Sequence, residues 1–147
     1  EVTFMAKKEE ESVATDDAVV QMLLTLADED GFEVGITLNI KGAVVSGILI
    51  GPATYYDGVL NAAEEIEDRT MSNILTKKFS DLRDAYKKSK EETKEKKESD
   101  TTATFIHLKD AKYVGVTDSQ NQFMHKGPTT WWRGRIESID AISFQLT

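Results

Sequence analysis

The chain has 147 residues, of which 39% are hydrophobic and 30% are charged, and its formal net charge is −8. The apolar runs are only a few residues long, which excludes a membrane-spanning helix, and the chain is too apolar to be wholly disordered. The absence of cysteine excludes a disulfide framework, a cysteine-ligated zinc site and a thiol nucleophile. The acidic excess argues against a general nucleic-acid coat, because phosphate binding needs a local excess of positive charge.

The charge is unevenly distributed along the chain. Residues 1–100 hold 13 basic and 22 acidic residues, a net charge of −9, whereas residues 101–147 hold 5 basic and 4 acidic residues, a net charge of +1. Residues 1–14 are polar and include three consecutive glutamates, which predicts a flexible acidic lead. The remaining residues, 15–147, are expected to form a single domain.

A helix is predicted directly after this lead. Thr15 is suited to cap its N-terminus, with Asp16 and Asp17 in the first turn, and Asp30-Gly31 is suited to end it. Its apolar positions follow the spacing i, i+3, i+4 and i+7, and they are Val19, Met22, Leu23 and Leu26.

A β-hairpin is predicted next. Polar and apolar residues alternate over 32–40, and a second apolar run covers 43–50, with Lys41-Gly42 as the turn between them. Gly47 lies inside the second strand, which indicates a bulge, a sharp bend or another backbone passing close.

A helical insertion of about residues 54–98 follows the hairpin. The apolar residues that keep helical spacing, which we expect to form a core face, are Tyr56, Leu60, Ala63, Ile66, Ile74, Leu75, Phe79, Leu82 and Tyr86. Residues 87–98 contain six Lys, four Glu and no large apolar side chain. This end is therefore either a solvated helix terminus or a disordered linker.

The rest of the chain returns to strand chemistry over 101–116 and 129–146, with a polar loop between these segments. The prediction is an α+β fold with a strongly bent antiparallel sheet and the helical insertion between strands 2 and 3. Gly47 and Gly134 are interior glycines that allow such a sheet to bend into a small barrel.

Two stretches of the predicted sheet resemble the two motifs of the Sm-like barrel. The first is Ile36–Ile50 (ITLNIKGAVVSGILI), and the second is Thr130–Ile139 (TWWRGRIESI). The helix that precedes the first motif also fits that fold. The resemblance implies a small Sm-like barrel, and because these motifs are short it implies a fold more than a function.

An ordered set of motifs resembles the family of the gas vesicle accessory protein GvpU. The set consists of Gly31-Phe32, Thr37–Asn39, Gly42–Gly47, Phe105–Lys109 and Trp132–Ile136. The resemblance implies a non-catalytic, cytoplasmic protein that has no cofactor and binds gas vesicles or their shell proteins. It implies a role in the assembly or clustering of the vesicles. Assembly into a homo-oligomer is also expected, because Sm-like barrels commonly associate through strand edges.

The alternative is an Sm-like ring protein that binds RNA. Sm proteins read uridines with a short loop after the second strand, and that place here holds residues 51–54 followed by a helix. This helix contains four carboxylates, Glu64, Glu65, Glu67 and Asp68, which repel phosphate. We therefore expect neither nucleic acid nor a membrane as a partner.

Trp131, Arg133 and Arg135 are the candidate binding residues for a protein partner. They alternate with Trp132, Gly134 and Ile136, so they face outward together if those three face the core. An exposed Trp between arginines is typical of protein-binding hot spots, and it could also stack on a base. The alternative interpretation is that Trp131 packs under the long helix or against a neighbouring subunit.

Metal binding and catalysis find little support among the polar residues. His107 and His125 are the two histidines, and they do not have the spacing of a metal site. We predict His107 to be a solvated or hydrogen-bonded strand residue and the four carboxylates to be a solvated helix face. No nucleophile triad, phosphate-binding loop or dinucleotide motif is present.

Overall fold

The residues described in a computed structural model of the chain are 17–96, 103–115 and 130–145. In chain order they form α1 (Ala18–Glu29), β1 (Val34–Ile40), β2 (Ala43–Ile50), α2 (Pro52–Glu64), α3 (Arg69–Lys96), β3 (Phe105–Tyr113), β4 (Trp131–Arg135), a 3-10 helix (Ile136–Ser138) and β5 (Ile139–Gln145). Contacts divide the chain into two compact units, one with α1 and the sheet and one with α2 and α3. The α+β class and the helical insertion between the second and third strands are confirmed.

The five strands form one antiparallel sheet with the order β4-β3-β2-β1-β5. This order places β4 and β5 at the two edges, and these two strands do not pair within the described residues. The sheet is therefore open, and its closure into a small Sm-like barrel is not confirmed. The predicted acidic lead, residues 1–14, lies outside the described residues.

The hairpin of β1 and β2 has the turn that was predicted for it. Lys41 has a φ of 47° and Gly42 a φ of 91°. Positive φ at both central residues is the requirement of the type I′ turn, whose twist matches that of the flanking strands. The Lys41 backbone N–H also donates to a carboxylate oxygen of Asp140 at 3.0 Å, which connects the turn to the start of β5.

Gly47 occupies an irregular position where β2 pairs with β3, as its place in the sequence predicted. The register of the two strands shifts at Gly47, and on β3 Asp110 has a φ of 53°. A Cβ atom on Gly47 would lie 3.0 Å from the carbonyl oxygen of Lys109 and 3.2 Å from the Cα of Ala111. Only glycine fits here without displacing backbone atoms of β3.

The N-terminus of α1 is capped by Asp17, so the prediction of Thr15 as the cap was wrong. One Asp17 carboxylate oxygen accepts the backbone N–H groups of Val19 at 3.0 Å and Val20 at 3.1 Å. Asp17 itself is extended, with φ −60° and ψ 126°, so the helix starts after it. At the other end Gly31 has the predicted left-handed conformation, with a φ of 68°.

The buried face of α1 agrees only in part with the predicted one, because the predicted Leu23 is buried but two other predicted members are exposed. Val20, Leu23 and Ala27 are buried, whereas Val19 and Met22 are 43% and 51% exposed. Both sets have helical spacing and lie about 100° apart around the axis, so periodicity alone does not choose between them. The helix is apolar over a wider arc than the sheet covers.

The core of this unit lies between α1 and one face of the sheet. Its fully enclosed side chains come from three strands and the 3-10 helix, and the largest of them are Leu38, Val45, Leu49, Ile106, Leu108 and Ile136. Partly buried residues of the two edge strands surround this core, and they include Trp132, Ile142 and Phe144. β4 therefore turns Trp132 toward the core.

The helical unit is a hairpin of α2 and α3, and the predicted helical stretch is interrupted between them. Asp68 caps α3, because its carboxylate accepts the N–H groups of Thr70 at 3.0 Å and Met71 at 3.1 Å. Just after this cap, the Ser72 hydroxyl donates to the carbonyl oxygen of Ala63 at 2.7 Å in a buried position. This hydrogen bond connects the start of α3 to the end of α2.

The predicted core face of the insertion is only partly buried. The buried members are Tyr56, Leu60 and Ala63 of α2. On α3, Ile74 and Leu82 are 53% and 51% exposed, so their assignment to the core was wrong. The apolar arc of α3 is wider than the single stripe that one neighbouring helix covers. α3 continues to Lys96, which makes residues 87–96 helical.

Candidate functional site

The predicted binding residues lie on one face of the edge strand β4. The β3–β4 register places Trp131 opposite Lys109, Arg133 opposite His107, and Arg135 opposite Phe105. Directly paired residues point to the same side of a sheet. The other set of alternate residues, Trp132 and Gly134, pairs with the buried residues Leu108 and Ile106.

We call the outward set the aromatic–cationic patch and define it as Trp131, Arg133, Arg135, Phe105 and Lys109. Arg133 and Arg135 are exposed, and the other three members are half-buried. Period-two alternation located the β4 members, but Phe105 and Lys109 were missed because only the strand register identifies them. The pattern FIHLK on β3 gave no sign of which strand it would pair with.

Arg133 is held in place by an aromatic side chain. Its guanidinium carbon lies 4.0 Å from the centroid of the Phe105 ring, which is a cation–π contact. The other two cations of the patch contact carboxylates: Arg135 pairs with Glu137, and Lys109 donates to Glu33, with one N–O distance of 3.0 Å. Arg133 is therefore the patch cation with the most charge left to offer an anionic partner.

His107 pairs with Arg133 on the same face of the sheet as this patch, and it is buried, with 3% of its surface exposed. It was predicted to be a solvated or hydrogen-bonded strand residue, and the structure rules out the solvated form. Ile106, His107 and Leu108 are all buried, so β3 is covered on both faces at this point and alternation no longer reports exposure.

The environment of His107 keeps the imidazole neutral. Its pKa is lowered from 6.5 to about 4, chiefly because burial removes water from the charged form and also because the Arg133 guanidinium repels a second positive charge. The Asp28 carboxylate acts in the opposite direction but is the smallest of the three effects. At neutral pH His107 therefore adds no positive charge beside Arg133.

The four carboxylates of the insertion do not form an enclosed acid pair. Glu64, Glu65, Glu67 and Asp68 are all exposed, and Asp68 serves as the cap of α3. Within residues 17–96, 103–115 and 130–145, no three His, Asp or Glu side chains come together as metal ligands. None of the helices described is both long and apolar enough to cross a membrane.

A polar cavity of about 390 Å³ lies between α2 and α3 and was not foreseen. Its lining residues are Asp57, Leu60, Asn61, Glu64, Thr76, Ser80 and Arg83. Arg83 lies 3.5 Å from the carboxylate of Asp57 across the cavity and 3.5 Å from that of Asp84 along its own helix. The polar members recur at i, i+4 and i+7 on both helices, which is the signal in the sequence that could have located the cavity.

Comparison with known proteins identifies the family of the chain. A family model described as gas vesicle protein GvpU-like matches residues 17–146, which include both compact units and the aromatic–cationic patch. No curated protein and no solved structure matches the chain. The extent of the match confirms the resemblance that the ordered motifs indicated. The chain therefore belongs to the GvpU-like family of gas vesicle proteins.

Proposed function

We propose that this chain is a non-catalytic accessory protein that binds gas vesicles or their shell proteins and promotes vesicle assembly or clustering. The observation that carries the proposal is the family match over residues 17–146, which spans the sheet and the helical hairpin. The proposed site of contact is the aromatic–cationic patch. The protein acts in the cytoplasm, at the vesicle surface.

The chemistry of the patch supports protein binding. Trp and Arg are the residues most enriched at the energetic centres of interfaces, because they bury a large area and donate directed hydrogen bonds. The stacking of Arg133 on Phe105 limits the motion of the guanidinium before a partner arrives. Less side-chain entropy is then lost on binding.

We also propose that the chain forms a homo-oligomer, and the open sheet supports this part of the proposal. β4 and β5 are edge strands of five and seven residues, and an edge strand presents backbone N–H and C=O groups that a second strand can pair with. If β4 of one copy pairs with β5 of another, the copies form an oligomer. If β4 and β5 of the same chain paired, the sheet would close into a small barrel.

Flotation of isolated gas vesicles tests the proposal directly. Purified protein is mixed with vesicles, the buoyant vesicles are collected, and the bound fraction is measured as a function of protein and salt concentration. Saturable binding is expected, together with clusters visible by light scattering. An absence of binding at every salt concentration contradicts the proposal. A parallel arm with uridine-rich RNA tests the alternative, for which salt-sensitive binding is the positive result.

A further inference from the structure

Two helices of this chain expose apolar side chains to solvent. On α1, Val19 is 43% and Met22 is 51% exposed, and on α3, Met71, Ile74 and Leu82 are 50%, 53% and 51% exposed. Apolar residues aligned on a helix mark a docking surface when a partner of suitable shape and charge exists. The charges around the two stripes identify such a partner.

The stripe on α1 is acidic at its margins. Val19, Met22 and the half-buried Leu26 follow one another along one side of the helix. Glu29 and Asp30 are exposed at i+7 and i+8 from Met22, so they lie beside this stripe. From its N-cap to its C-cap, residues 17–30, the helix carries four acidic and no basic residues.

The stripe on α3 is basic at its centre. Ile74, Lys78 and Leu82 form one row at i, i+4 and i+8, and Lys77 and Asp81 lie on one side of it, so the segment from Met71 to Leu82 carries two basic residues and one acidic residue. α3 contains nine Lys and Arg against five Asp and Glu, a net charge of +4 in a chain whose total is −8. Lys77 and Lys78 are exposed, and in the part of the chain described no carboxylate pairs with either of them.

We infer that α1 of one copy of this chain packs on α3 of another copy. The two apolar stripes come into contact, and Glu29 and Asp30 face Lys77 and Lys78. With its acidic C-terminal end beside these two lysines, α1, which is about 18 Å long, covers roughly half of the exposed α3 segment from Met71 to Leu82.

The two surfaces of this contact are different, so a dimer formed through it still has one free copy of each surface. Each copy keeps a second surface available, and the association can continue into chains or rings. The inference rests on the self-association that is part of the proposed function, and it supplies a contact separate from the sheet edges. It does not require a vesicle to be present.

A pair of single substitutions on α3 tests the contact by sedimentation velocity at several protein concentrations. Lys78→Glu reverses a charge inside the stripe, and Lys87→Glu makes the same change to an exposed lysine about 180° away around the helix. We expect roughly threefold to tenfold weaker self-association for Lys78→Glu, because an attraction becomes a repulsion. We expect wild-type behaviour for Lys87→Glu.

A charge exchange provides the sharper test. Glu29→Lys with Asp30→Lys inactivates α1, and Lys77→Glu with Lys78→Glu inactivates α3. Each variant alone is expected to self-associate more weakly than the wild type, whereas their equimolar mixture is expected to recover association, because each supplies the surface that the other has lost. Circular dichroism spectra of both variants are compared with that of the wild type to check that the variants are folded.

Three results would overturn the inference: a wild-type protein that stays monomeric, equal effects of Lys78→Glu and Lys87→Glu, or a mixture that fails to associate. Flotation of the Lys78→Glu variant with vesicles separates this inference from the proposed function. Retained vesicle binding with weakened self-association supports both proposals. Vesicle binding with unchanged self-association contradicts only the inferred α1–α3 contact.

Discussion

The buried imidazole of His107 makes a defined prediction for the pH dependence of stability. Its pKa is about 4 in the folded protein, mainly because of burial, against 6.5 for an exposed histidine. As pH falls below 6.5, the His107 imidazole binds a proton in the unfolded chain but stays neutral in the folded protein. The free energy of unfolding therefore decreases between pH 6.5 and pH 4 and is unaffected by this group above that range.

The size of the effect follows from the difference in pKa. One pKa unit corresponds to about 1.4 kcal/mol, so the complete loss below pH 4 is about 3 kcal/mol. At pH 5 the unfolded imidazole is almost fully protonated and the folded one almost fully neutral, which gives a loss of about 2 kcal/mol. His107 is 3% exposed, so solvent screening reduces this value only slightly.

Urea denaturation of the wild type and of His107→Gln measures this loss. Each protein is unfolded at about pH 7.5 and about pH 5, and the difference in unfolding free energy between the two pH values is compared. Carboxylate titration contributes equally to both proteins and cancels. We expect the wild type to lose about 2 kcal/mol more than the variant.

Equal losses in the two proteins would refute the reasoning, whatever the absolute stability of His107→Gln.

A second variant measures how much the neighbouring Arg133 lowers the pKa of His107. Arg133→Gln removes the positive charge that lowers the pKa of His107, so the imidazole should titrate at a higher pH in that variant. A nuclear magnetic resonance titration of the His107 ring measures that change.

Two further predictions concern packing, and both are checked by urea denaturation. Gly47→Val places side-chain atoms against the Lys109 carbonyl oxygen, 3.0 Å from the position of its Cβ, and should destabilise the sheet by about 1–3 kcal/mol. Gly35→Val is the control, because nothing lies within 4 Å of a Cβ there, and equal losses would contradict the close approach. Ser72→Ala leaves the buried carbonyl oxygen of Ala63 without its 2.7 Å donor and should cost about 1–3 kcal/mol. Thr93→Ala, which removes an exposed hydroxyl bond to Ser89, should cost much less, and an equal cost would show that burial is irrelevant.

The hairpin, the bulge and the facing of β4 were predictable because local signals determine them. Lys41-Gly42 supplies the positive φ values of its turn, and an interior glycine at position 47 marks the irregular pairing. The facing of Trp131, Arg133 and Arg135 follows from period-two alternation once Trp132 packs against the core. Each of these features depends on neighbours a few residues away.

The features that sequence reasoning missed depend on what covers an element. α1 has two overlapping apolar faces, and only the position of the sheet selects Val20 over Val19. His107 is buried although the alternation placed it opposite Ile106 and Leu108, because both faces of β3 are covered there. The membership of Phe105 in the patch depends on its pairing with Arg135, far away in the sequence.

Binding of patch variants to gas vesicles is the most direct test of the central claim. Flotation isotherms are measured for the wild type, for Trp131→Ala and for Val114→Ala, which truncates another apolar side chain, 52% exposed and directly after the end of β3. An interface residue of the hot-spot type contributes at least about 1–2 kcal/mol, so Trp131→Ala should bind roughly tenfold more weakly at unchanged thermal stability. Val114→Ala should bind like the wild type. Wild-type vesicle affinity of a folded Trp131→Ala protein would contradict the account.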